Sequence, residues 1–154
     1  MKQVTMRSLF VAGFMLVVLA PTILRAAEPE DIIKYRQNVM KANGAHLAAA
    51  AAIIQGKVDY KNQLDAHVRA LQTFTSDIPA LFPKGSDFGN TRAKDAVWNN
   101  RAEFDKRAKN LKDKIAAFAK AVKSGNHEAM LSTFKDVGED CKACHKDFRK
   151  KEEE

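Results

Sequence analysis

A chain of 154 residues with 45% hydrophobic and 29% charged residues is sized for one domain with a core of its own. Its net charge of +7 is spread over alternating signs, as in EFDKR and KDKIAAFAKAVK, with no aromatic-interleaved basic patch, which excludes a nucleic-acid-binding face. Two cysteines cannot build a disulfide framework, so the core must hold the fold without one.

The chain opens on a targeting pattern. Lys2 and Arg7 precede an uncharged apolar run over residues 8–24, which is interrupted by Pro21. Ala26 and Ala27 then give way to the acidic EPED. At 17 residues the run is at the short limit for a membrane span. The reading is a cleaved secretory signal over residues 1–26, followed by one domain over 27–154; an uncleaved anchor is the alternative. Both place the folded part outside the cytoplasm, and a cleaved chain is expected in the periplasm with no membrane insertion. Without the three basic residues of the leader the net charge falls from +7 to +4.

Four helical segments follow, and no segment has sustained strand alternation. The first is expected from about residue 28 to 55, with Pro29 in its opening turn and Gly56 just past its end. The second starts near Asp59 as a cap and carries Leu64, Val68 and Leu71 at steps of four and three. Pro79 and Pro83 end it, within the long loop PALFPKGSDFGN. The third is expected from about residue 91 to 123, with Phe104, Ala108, Leu111, Ile115, Phe118 and Val122 as its seam. After the turn SGN, capped by Asn126, the fourth places Met130, Phe134, Val137, Cys141, Cys144 and Phe148 on one stripe. The pattern gives an all-α chain, an antiparallel up-down-up-down four-helix bundle.

The chemistry sits in the fourth segment. CKACH places Cys141 and Cys144 one helical turn apart, a spacing that lets two thiols reach the two vinyl groups of one haem. His145 follows directly and can offer an imidazole nitrogen to the iron. One CxxC with one His gives three ligands where structural zinc needs four, and a thioredoxin-type pair belongs in a βαβ context that this chain lacks. The cofactor implied is haem c, one per chain, covalently attached.

The order of these pieces resembles the cytochrome c′ family of class II c-type cytochromes. CKACHKDFRK near the C-terminus, EDIIKYRQNVMK near the mature N-terminus, and GKVDY and LFPKGS between them carry the resemblance across essentially all of the mature chain. It implies electron transfer or the binding of small gases, NO or CO, at a five-coordinate iron. Redox partner proteins and a homodimer are also implied, and no enzymatic activity, since no acid–base pair at useful spacing stands opposite the iron.

The remaining site residues depend on that resemblance. Periodicity alone leaves Arg36 open between a buried cation and a snorkelling edge residue; the resemblance makes it a partner of a haem propionate. Met40, one turn on, is by spacing either core filler or an iron ligand. In cytochromes c′ its position covers the iron unbonded, whereas in the related cytochromes c-556 a methionine there is the sixth ligand. The expectation adopted is the open form, with Met40 as sixth ligand the alternative. Arg149 matches the basic residue that the family places near the proximal face. His46, His67 and His127 show no spacing that links them to the haem motif, and His67 and His127 read as surface residues.

Overall fold

The computed structural model describes residues 27–151. The expected signal segment and the last three residues of the tail lie outside them. Helix α1 spans Pro29–Ile54, α2 Lys61–Phe74, the one-turn α3 Ala96–Asn99, α4 Arg101–Ser124 and α5 His127–Phe148, with a 3₁₀ turn at Ile78–Leu81. The four long helices form the bundle: α1 packs on α2, α2 on α4 and α4 on α5. The fourth side, between α1 and α5, is the most loosely packed of the ring.

Local chemistry explains the helix ends. Pro29 opens α1 where a missing N–H costs nothing, and Glu30 and Asp31 put negative charge at the positive end of the helix dipole. Gly56, at φ 68°, takes the left-handed turn that ends it. Between α4 and α5, Gly125 adopts φ 69° and Asn126 accepts the Ala129 N–H at 3.0 Å, the cap expected there. The expected start of α2 is corrected: the helix begins at Lys61, and the boundary position is Tyr60, at φ −115° and ψ 43°, and not Asp59.

The third segment also departs from expectation. Residues 91–95 are not helical, and Asn100, at φ −122° and ψ 52°, separates α3 from α4. Tertiary bonds decide this. Trp98 Nε1 donates to the Pro83 carbonyl at 3.1 Å, and Arg101 donates to the carbonyls of Pro79 and Phe82, both at 3.1 Å. Ala93 pairs with Arg149 in an isolated antiparallel bridge, with Lys94 N–H to Phe148 O at 3.0 Å and Lys150 N–H to Arg92 O at 2.7 Å. Anchoring the long loop therefore outweighs continuing the helix.

The seams read from the sequence meet in one core. Leu71, Val68, Val97, Ile115, Phe118 and Val137 are fully buried. Edge-to-face rings run from Phe82 to Phe104 (5.0 Å) to Phe148 (5.2 Å), with Phe118 on Phe134 (5.5 Å). Among the described residues no helix is long and apolar enough to cross a membrane.

Candidate haem site

The two sides of the site are carried by α5 and α1, across the loosest seam of the bundle. On α5 the 4-3 spacing turns Cys141 and Cys144 inward as half-buried free thiols packed against the apolar core. Burial raises both pKa values, and the nearby Asp140 carboxylate raises them further. Cys144 is pushed up to about 11, so both groups stay protonated at neutral pH. Asp140 is itself buried, with Lys114 Nζ 3.3 Å from one oxygen and no hydrogen-bond partner for the other.

His145 borders this stripe on its outer side and is exposed as a whole residue. Its ring is still shielded enough that burial is the main cause holding its pKa below the usual imidazole value; the charges of Arg149 and Arg92 add to it. The ring is thus kept neutral, the form a metal requires. Arg149, at the end of α5, brings Nη1 within 3.5 Å of His145 Nδ1. That distance is at the limit of a hydrogen bond and does not fix the tautomer.

On α1 the inward stripe holds Ile33, Arg36, Met40, Asn43 and Leu47. Arg36 is 3% exposed, which settles the open question of its burial. Its guanidinium donates to Ser86 Oγ (2.8 Å), Ser86 O (2.7 Å) and Thr91 Oγ1, and lies 4.8 Å from the Phe82 ring centroid and 5.6 Å from that of Trp98. Burial lowers its pKa and Asp87 opposes the effect. The charge is therefore compensated by the neutral oxygens of Ser86 and Thr91 and the ring faces of Phe82 and Trp98, not by an ion pair. Sequence reasoning missed Ser86 and Thr91, and also Arg92, whose charge reaches His145; all three lie in or beside the loop, where no periodicity points inward.

Met40 is half-buried and packed against the core with Leu47. One turn on, Asn43 is 7% exposed, and its Oδ1 has no hydrogen-bond partner. Such an orphaned acceptor is costly in a closed apolar core and marks this seam as built for more than helix packing.

The donor set fits a covalently bound haem. Two inward thiols stand one turn apart, a neutral imidazole is next to them, and a thioether and a buried guanidinium lie on the facing helix. Of the histidines, His46 on α1 and His67 on α2 meet each other, contrary to the surface reading of His67. No group of three or more metal-binding side chains is present among the described residues.

Comparison with known proteins agrees with this geometry. Residues 31–149 match the family described as Cytochrome C′. The chain is 33% identical to cytochrome c′ of Pararhodospirillum photometricum over 124 residues, 80% of this chain and 99% of that one. It is also 33% identical to cytochrome c-556 of Agrobacterium tumefaciens (strain II Chrys) over 123 residues, 77% of this chain and 97% of the other. Among solved structures it resembles a nitric oxide complex of a variant cytochrome c′ from Alcaligenes xylosoxidans, with a TM-score of 0.76 and 31% identity. That likeness covers 83% of this chain and all of the other.

Proposed function

The chain belongs to the cytochrome c′ family, class II proteins with one covalently attached haem c, and from that premise we propose that it binds small gases such as NO or CO and exchanges electrons in the periplasm. Cys141 and Cys144 are the residues that hold the haem by thioethers, and His145 is the proximal ligand. The bound haem supplies an iron that cycles between ferrous and ferric and can take a diatomic ligand.

The protein's part is to present and to exclude. His145 offers Nε2 and keeps its proton on Nδ1, so Arg149 then acts by charge and not as a donor to that nitrogen. Arg36 holds the long loop against α1 and leaves a positive group near the haem edge, where a propionate is its proposed partner. Met40 covers the distal face without bonding and acts as a steric gate. The carrying observation is that Met40 is half-buried and packs with Leu47 against the core, as a filler side chain does.

A second reading has its own support. A thioether is a competent iron ligand, and the cytochrome c-556 relative has the same 33% identity as the cytochrome c′ one. In that case Met40 is the sixth ligand and the protein is an electron carrier alone. In both readings electron exchange is a proposed role, with redox proteins as partners, whereas gas binding belongs to the first reading alone. The alanine-rich outer face of α1, with Ala45 and Ala48 exposed, supports a close approach by a second copy in a homodimer.

Carbon monoxide binding to the ferrous protein and to Met40→Ala separates the readings. A gate predicts binding in both, faster in the variant by about tenfold, or about 1.4 kcal/mol off the barrier. Binding only in the variant makes Met40 a ligand and overturns the gate.

A further inference from the structure

Between α1 and α2, His46 and His67 bring their Nδ1 atoms to 3.0 Å. The ring centroids are 5.3 Å apart, longer than the nitrogen distance by about two ring radii, so the rings meet head-on. As neutral imidazoles they share one hydrogen, one nitrogen donating and the other accepting. The Phe74 ring lies beside His46, its centroid 6.5 Å away at an interplanar angle of 14°. Both histidines are half-buried, so the pair keeps one side open to solvent. Two ring nitrogens on neighbouring helices meet here, and nothing in the haem chemistry uses them.

We propose that His46 and His67 form a two-histidine site for a late divalent transition metal, copper(II) first. An ion at 2.0–2.1 Å from nitrogens 3.0 Å apart closes an angle of about 91–97°. That is the cis angle of a tetragonal ion, whereas a tetrahedral site wants the nitrogens roughly 3.3 Å apart. Copper(II) also heads the divalent series in affinity for imidazole. To bind, each ring tilts off the line joining the nitrogens, and the donor ring moves its proton from Nδ1 to Nε2. Water fills the remaining positions, and the bound ion ties α1 to α2.

The test is a copper(II) titration of the intact holoprotein in the ferric state, so that no electron passes from iron to copper. Calorimetry should give one ion per chain, with a copper electron paramagnetic resonance signal showing nitrogen coupling. The melting temperature should rise with the metal. His46→Gln and His67→Gln should each weaken binding about tenfold or more and abolish the thermal shift, with the haem spectrum unchanged. His127→Gln should bind as the parent does. No binding to the parent overturns the site, and so does equal binding by both pair variants, which places the ion on another group. Circular dichroism of the two variants establishes that they are folded. Neither result depends on the gas ligand or on Met40.

Discussion

The most consequential single residue after the haem-motif triplet is Arg149. Its charge is one of the causes that keep the His145 ring neutral, together with burial and Arg92. Protonation of that ring competes with iron for the same lone pair, so acid should displace the proximal ligand. Removing the Arg149 charge takes away a lowering cause and raises the proton affinity of the ring. Arg149→Gln should therefore lose proximal ligation at a higher pH than the parent, seen as a shifted acid transition of the Soret band; an unchanged transition would mean the charge is not felt at the ring. Arg36 is the second such residue. Three hydrogen bonds from a buried guanidinium tie α1 to residues some fifty positions away. Arg36→Met keeps much of the volume and loses all three, which should cost about 2–4 kcal/mol in urea unfolding. The stripe left Arg36 open between a buried and an edge position, and its partners were not legible at all. Ser86 and Thr91 sit in a loop without period, and only the closed fold brings them to α1. The same holds for His46 and His67, whose separation of 21 positions carries no spacing signal.

At the scale of elements, patterns that repeat along one helix were readable and events between elements were not. The alternating steps of α4 and α5 place Phe104, Ala108, Leu111, Ile115, Phe118, Val137 and Phe148 in the core, as the spacing implies. The Asn126 cap was equally visible, because it follows from side-chain chemistry at one position. Asn126→Ala should lower stability by about 1 kcal/mol, read as a shift of the urea midpoint without a change of slope. The break at Asn100 had no such mark. No glycine or proline stands between Thr91 and Arg101, and the interruption depends on Trp98 and Arg101 holding carbonyls of the preceding loop. Local propensity favoured a continuous helix there, and long-range bonds overrode it.

For the molecule as a whole, the proposed haem site lies in the one side of the bundle that is not tightly closed. Three sides are filled by apolar seams, while α1 and α5 approach each other least and carry the thiols, the imidazole, the thioether and the orphaned Asn43 oxygen. A covalent tether suits such a seam, since thioethers keep a flat cofactor in place where packing alone would hold it weakly. In the proposed function His145 binds the iron and Met40 only covers it. Absorption spectra of the purified holoprotein, ferric and then ferrous with carbon monoxide, test it most directly. An unbonded Met40 gives a high-spin ferric spectrum and ready uptake of carbon monoxide by the ferrous form. A low-spin ferric spectrum with the weak far-red band of methionine–iron(III), and no response to carbon monoxide, would contradict it.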